Sequence, residues 1–210
     1  MSTAQTTTNT PVILAMTGAS GADYGLRLMQ CLLQAERPVY LILSKAAQLV
    51  LATETDLDIP GRPAEIEKFF TEYYGARQGL LTVYGREQWT SPVASGSHTA
   101  QSMVVCPCTT GTMSSIACGI SDNLIDRAAD VMLKERRQLI LVVRETPLSS
   151  IHLENMLRLS QAGATVMPAN PGFYHKPDSI SEIIDFMVAR ILDHVGVDHQ
   201  LLPRWGIDED

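Results

Sequence analysis

The feature that most limits what this chain can become is a set of five short apolar runs, at Val12–Met16, Val39–Leu43, 103–106, 139–143 and 164–167. They are rich in Val, Ile and Leu and do not alternate with polar residues. Strands that read this way are covered on both faces, as in a parallel sheet held between two layers of helices. Helical patterns fill the intervals. Over Ala22–Gln34, Leu26, Met29 and Leu33 share one face, with Tyr24, Leu28 and Leu32 beside it. Further helices are predicted over 44–52, 64–74, 122–136, 150–161 and 179–195, with Asp178 or Ser179 capping the last and Gly163 ending the one before it. Alternating strands and helices give an α/β fold with a doubly wound parallel sheet. A length of 210 residues fits a single domain, here 11–210, behind a polar, threonine-rich tail at 1–10 that is expected to be disordered. The stretch 82–102, with its Gly, Ser, Pro and Trp89, reads as the long loop of the chain.

Composition narrows the function classes. Hydrophobic residues make up 45% and charged residues 19%, which excludes a disordered chain. A net charge of −7 argues against nucleic acid or an anionic membrane as partner. No apolar run approaches the roughly 20 residues of a membrane span, and the start of the chain lacks the basic and apolar blocks of a signal peptide. The four cysteines include Cys106-Pro-Cys108, which is not a C-x-x-C pair, and His194 and His199 miss the helical i, i+4 register of a metal pair. No metal site is expected, and a cytoplasmic setting is.

Two loops carry the first chemical signal. Met16-Thr17-Gly18-Ala19-Ser20-Gly21-Ala22 links a strand to a helix with small residues, so backbone N–H groups there can approach an anion or a flat ring. It is not G-x-G-x-x-G, and the end of the second strand carries Ser44-Lys45 in place of the acidic residue that would hold a ribose. A hydroxyl and an ammonium suit a phosphate better. Cys106-Pro-Cys-Thr-Thr-Gly-Thr112 is a second such loop, with Thr109, Thr110, Gly111 and Thr112 at a helix start. Either loop alone also fits an ordinary tight turn or a hydroxyl-capped helix. Both at carboxyl ends of strands in one sheet point to a mononucleotide, a flavin first. A third signal is the charged set Arg127, Lys134, Glu135, Arg136, Arg137 and Arg144-Glu145. Arg136 and Arg137 read as a solvated face. Arg144-Glu145 follows a strand, where such a pair can bind phosphate and move a proton or serve as a plain ion pair. Pro168 to Pro177, with Tyr174 and His175, is a fourth, and Arg190 lies in the last helix beside Phe186 and Met187.

Together these motifs resemble the flavin prenyltransferase family, UbiX-type proteins formerly described as aromatic acid decarboxylases. The likeness runs from Val12 to Trp205 through Met-Thr-Gly-Ala-Ser-Gly-Ala at 16–22, Ser-Lys-Ala-Ala at 44–47, Ala-Thr-Glu-Thr-Asp at 52–56 and Ser-Gly-Ser at 95–97. It continues through Arg-Ala-Ala-Asp-Val at 127–131, Leu-Lys-Glu-Arg-Arg at 133–137, Val-Arg-Glu-Thr-Pro at 143–147, Gly-Phe-Tyr-His at 172–175 and Arg-Trp at 204–205. The resemblance implies a Rossmann-like flavoprotein domain that joins a dimethylallyl group from dimethylallyl phosphate to N5 and C6 of reduced FMN without a metal. The prenylated FMN would pass to a UbiD-type decarboxylase, commonly in ubiquinone biosynthesis, and the protein would be a homo-oligomer, a dodecamer. By similarity, Gly18, Ala19, Ser20, Ser44, Thr109, Thr110, Gly111, Thr112 and Arg144 hold FMN. Tyr174 and Arg190 bind the donor phosphate with Lys134 and Arg127 close by, and Trp89 and Trp205 line the prenyl pocket. Ser20, Glu54, Lys134 and Glu145 are the expected catalytic residues, with Glu145 or the released phosphate as base.

The competing reading is an FMN-dependent decarboxylase of the cysteine-decarboxylase type. Such proteins are similar at the flavin loops but use a catalytic histidine and a Pro-Ala-Ser-Ala-Asn-Thr-type stretch. Pro168-Ala-Asn-Pro171 echoes that only faintly. A flavin carrier without catalysis would leave Lys134, Arg144, Glu145 and Arg190 without a purpose.

Overall fold

The computed structural model describes residues 10–202. Six strands form one parallel sheet: β1 (Val12–Met16), β2 (Val39–Leu43), β3 (Leu81–Tyr84), β4 (Ser102–Cys108), β5 (Gln138–Val143) and β6 (Thr165–Pro168). Their order is β3-β2-β1-β4-β5-β6. Leu14 lies between Leu41 on one neighbour and Val104 on the other. Because the order reverses at β1, the chain winds outward in both directions, and a crevice opens between the carboxyl ends of β1 and β4.

The helices are α1 (Ala22–Gln34), α2 (Lys45–Glu54), α3 (Pro63–Tyr73), α4 (Thr110–Ala117), α5 (Leu124–Lys134), α6 (Ser150–Gln161) and α7 (Ile180–Val195), with one 3-10 turn at Pro92–Ala94. The twofold period of a strand divides β1 between two cores. Val12, Leu14 and Met16 pack with α1, α2, α3 and α7. Ile13 and Ala15 face α4, α5 and α6. Every strand of the sheet's middle is therefore buried on both faces, which is why its sequence shows no alternation. Each fully buried Leu or Ile in these layers contributes about 2 kcal/mol.

Local sequence sets the helix ends. Ser44, Thr109, Asn123, Ser149 and Ser179 each accept a backbone N–H at the start of a helix. Ser149 and His152 bond reciprocally as a capping box. Gly163, at φ +101°, and Gly196, at φ +67°, take the left-handed conformation beyond α6 and at the end of α7.

The stretch read as a loop from 82 begins with a strand. β3 has only four residues and alternates buried with half-buried positions, because it is the edge of the sheet and Tyr84 and Thr82 reach its rim. The strand predicted over 103–106 extends to Cys108, past an irregularity between Val105 and Cys108. The expected tail lies outside the described residues up to position 9, and Trp205 lies outside them as well.

Candidate active site

The two small-residue loops flank the crevice between β1 and β4, where a doubly wound sheet places its ligand. Thr17 ties them together: its hydroxyl donates to the Pro107 carbonyl at 2.8 Å and accepts from the Thr109 amide at 2.8 Å. Beyond that tie, Thr109 caps α4 by accepting from Thr112 N at 3.1 Å, and its hydroxyl donates to Thr112 Oγ1 at 3.0 Å. The next two amides of α4, at Thr110 and Gly111, find no acceptor among the described residues. A Cβ added at Gly111 would meet only Thr109 Oγ1, at 3.9 Å, so open space lies over this helix start.

The first loop is closed against the sheet and α2. A Cβ at Gly18 would sit 2.4 Å from the Ala46 Cβ, so only glycine fits. Gly25 does the same for α1. Its missing side chain lets the helix settle 2.5 Å, measured to a hypothetical Cβ, from the Cys106 carbonyl. Close helix–strand packing of this kind brings the N-terminus of α1 to the crevice. Cys106 and Cys108 are fully buried, and burial pushes both thiols up, so they are core thiols and not nucleophiles.

The start of α1 is already occupied. Gly21 holds a left-handed conformation, φ 99°, with no side-chain cap. In its place the Glu54 carboxylate, from the last residue of α2, accepts from Gly21 N at 2.8 Å and Ala22 N at 2.9 Å. Partial burial raises the Glu54 pKa, but hydrogen bonds from Ser20, Ala22 and Gly21 and the charge of Arg144 outweigh it and hold the carboxyl below the usual range. Glu54 is thus a carboxylate at neutral pH and begins any reaction as a proton acceptor. Arg144, after β5, donates from Nε to the Ser20 carbonyl at 3.2 Å. Glu145 beside it accepts from Thr146 N at 3.0 Å and from Thr110 Oγ1 at 3.4 Å. Ser44 caps α2 by accepting from Ala47 N at 3.0 Å, and its hydroxyl proton remains to be donated. Gly18, Ala19, Ser20, Ser44, Glu54, Thr109 to Thr112, Arg144 and Glu145 therefore gather around one crevice. The donor set fits a flavin mononucleotide, with helix amides and threonine hydroxyls for a phosphate and small residues where a flat ring would lie.

The remaining expected residues stand elsewhere in this chain. Lys134 ends α5 and pairs with Glu135 at 2.5 Å, near Gly96 and the amino end of the sheet. Six residues of β5, roughly 20 Å at about 3.3 Å per residue, separate that end from Arg144. Arg127 is turned to the Ala94 carbonyl, 3.0 Å, and to Asp130, 2.8 Å. Arg137, read as part of a solvated face, instead donates to the Gly96 and Ala100 carbonyls at 2.6 and 3.2 Å and holds the 96–100 loop. Trp89 is exposed beyond β3, an edge strand. Tyr174 is 78% exposed in the loop after β6. That loop folds back along α7, where His175 stacks on Phe186 at 5.7 Å, one turn before Arg190, which pairs with Asp193 at 2.8 Å. Two residues that matter to the crevice, Gly25 and Thr17, have no role that the sequence expectations assign, although Thr17 stands within the Met16–Ala22 motif. The seven-residue spacing Gly18 to Gly25 across a strand–helix turn was the available signal for the first.

Comparison with known proteins agrees with this geometry. The family model described as Flavoprotein matches residues 1–192. The flavin prenyltransferase UbiX of Pseudomonas aeruginosa is 58% identical over 195 residues, 93% of each chain. That of Alkalihalophilus pseudofirmus is 48% identical over 193 residues, 92% of this chain and 94% of its own. Among solved structures, AnUbiX (PadA1) in complex with FMN and dimethylallyl pyrophosphate superposes with a TM-score of 0.84 at 40% identity, covering 96% of this chain and all (100%) of that one. A dodecameric FMN-dependent UbiX-like decarboxylase from Escherichia coli O157:H7 gives 0.81 at 37% identity, covering 93% and 98%. With this identity along nearly its whole length and both small-residue loops in place at the sheet's crevice, the chain belongs to the UbiX flavin prenyltransferase family of flavoproteins.

Proposed function

We propose that the protein is a flavin prenyltransferase that joins the dimethylallyl group of dimethylallyl phosphate to N5 and C6 of reduced FMN. The crevice carries this reading: an α4 start with two unfilled amides, where Glu145 meets Thr110, beside a first loop held by Glu54 at the α1 start and by Arg144 at the Ser20 carbonyl. Breaking the allylic C–O bond leaves negative charge on phosphate and positive charge on the prenyl fragment. Fixed cations stabilise the first and an aromatic face the second. Forming the N5–C bond releases the N5 proton, which the departing phosphate can take, and the bond at C6 then needs one proton delivered to the alkene and one removed from C6. Glu145, bonded to Thr110 at the helix start, is placed to serve as base, or the released phosphate takes that part.

The cations of the donor site are Lys134, Arg127 and Arg190, with Tyr174. Since Lys134 lies at the far end of β5 from Glu145, the reading requires that Lys134 come to each crevice from a neighbouring copy. The dodecameric relative is consistent with such an assembly. Trp89 and Trp205 would enclose the prenyl group. A UbiD-type decarboxylase in the cytoplasm is the proposed recipient of the product, with ubiquinone biosynthesis as the setting. Among the described residues no helix is long and apolar enough to cross a membrane.

The test is anaerobic incubation with reduced FMN and dimethylallyl phosphate, or the diphosphate, followed by mass spectrometry of the released flavin. A flavin heavier by one C5H8 unit is expected; unmodified flavin with both donors refutes the reaction. Mixing separately inactive Lys134→Met and Glu145→Gln variants, after dissociation and reassembly, should restore part of the activity. Failure to restore any would place both groups in one copy's site.

A further inference from the structure

We infer that Thr17 is a positioning residue for flavin binding: its buried hydroxyl sets the start of α4 against the first loop, so that the two halves of the crevice bind FMN as one unit. The inference rests on the FMN reading of the crevice. Thr17 is 2% exposed and lies between Met16 and Gly18, at the end of β1. Among the described residues, three hydrogen bonds join its loop to the end of β4 and the residue that follows it, and every one uses Thr17. Its amide donates to Pro107 O at 3.2 Å, its hydroxyl donates to the same carbonyl at 2.8 Å, and its oxygen accepts from Thr109 N at 2.8 Å.

The directions of these bonds are fixed. A carbonyl can only accept, so the Thr17 proton points to Pro107, and the lone pairs are left for the Thr109 amide. Thr109 in turn caps α4, accepting from Thr112 N and donating to Thr112 Oγ1. The line of bonds therefore runs from the end of β1 through Thr17 to the cap residue whose neighbours, Thr110 and Gly111, offer the unfilled amides. Removing the hydroxyl leaves the part-buried Thr109 N–H facing a methyl group, and the least costly relief is rotation of the cap away from the first loop. A misplacement well under 1 Å at a helix start matters to a phosphate, because its bonds are short and directional.

Thr17→Val is the discriminating variant, since it keeps the branched shape and removes only the hydroxyl; Thr17→Ser keeps the hydroxyl and loses the methyl group. FMN affinity of the flavin-free protein is read from quenching of flavin fluorescence, with thermal melting measured alongside. The expected result is an FMN dissociation constant raised about tenfold or more in Thr17→Val and within about threefold of the parent in Thr17→Ser. A Thr17→Val protein that melts lower but binds FMN as the parent does would show a purely structural hydroxyl and overturn the inference. So would a Thr17→Ser protein as weak as Thr17→Val. Should Thr17→Val not fold, amide exchange in the flavin-free parent decides: Thr109 N–H slow to exchange supports the tie, and fast exchange overturns it. If the parent itself fails to bind FMN, the reading of the crevice falls and the inference with it. If the parent binds and Thr17→Val binds equally, only the inference falls.

Discussion

Gly111→Ala separates stability from flavin binding at the residue where the structure leaves room. Gly111 is the second residue of α4, and no positive φ requires glycine there. The added methyl would meet only Thr109 Oγ1 at 3.9 Å, an ordinary van der Waals contact. Nothing in the fold opposes the change. Alanine restricts the unfolded chain, and such a substitution typically adds ~0.4–1 kcal/mol. The first turn of a helix gives less than its interior, so about 0.5 kcal/mol is expected, or roughly 1–2 °C in melting temperature for a chain of this size. The methyl also enters the open space at the start of α4, beside the Thr110 and Gly111 amides at which a phosphate would dock. FMN affinity should therefore fall roughly tenfold or more while the protein becomes more stable. Titration calorimetry with FMN and differential scanning calorimetry read the two quantities separately. A stabilised variant with undiminished FMN affinity refutes the placement of the phosphate at α4. The same substitution at Gly25 has the opposite sign, because its Cβ would lie 2.5 Å from the Cys106 carbonyl, which is sheet backbone and cannot give way. Overpacking of ~1–3 kcal/mol exceeds the helical gain of about 1 kcal/mol, so Gly25→Ala should melt lower.

Glu54→Gln keeps the two backbone hydrogen bonds at the start of α1 and removes the charge. At neutral pH it should cost about 0.5–1 kcal/mol. Because the folded carboxyl titrates below its ordinary value of 4.5, its contribution is present above that value and lost as pH falls through the folded pKa. The melting-temperature gap between parent and variant should narrow as the pH falls below 4.5; a constant gap removes the charge from the explanation. Asp126→Asn has the reverse dependence. Burial raises Asp126 from 3.8 to about 6, partly opposed by the Asn123 hydrogen bond at 2.7 Å. Stability from this site is full below pH 3.8 and lost as pH rises through about 6. The variant should thus gain on the order of 2 kcal/mol at pH 7.5 and nothing at pH 3.5, measured by urea unfolding at both. Equal effects at the two pH values would contradict a buried, neutral-favouring carboxyl.

How much of this was legible in the sequence follows from how far each feature reaches along the chain. The middle strands are readable because burial on both faces leaves an unbroken apolar run, as in Val39–Leu43. β3 is not, since an edge strand of four residues with two rim-facing positions differs little from a loop. The helix caps Ser179 and Gly163 are local and are visible. The filling of the α1 start by Glu54, 33 residues from Gly21, leaves no periodic trace. Nor does the role of Gly25, because a glycine within a helix registers in the sequence only as a loss of propensity, and its value appears when β4 is beside it.

The charged residues show a different boundary. Arg144 and Glu145 could be assigned to the crevice because they follow a strand, and the carboxyl end of a strand has a fixed address in a doubly wound sheet. Lys134 has an address equally fixed by its place at the end of α5, and that address is the opposite end of the sheet. Resemblance supplied both residues with roles in one reaction, but a resemblance lists residues without saying which copy supplies them. The conflict between role and address is itself informative: if Lys134 and Glu145 serve the same reaction, symmetry must bring the amino end of one sheet to the carboxyl end of another. An assembly of this kind would couple oligomer formation to activity, with flavin held by loops of one copy and the departing phosphate by the helix end of its neighbour. Dilution to dissociated subunits should then abolish prenyl transfer while leaving FMN binding within a few fold, and activity that persists in a monomer would show that Lys134 has no part in it.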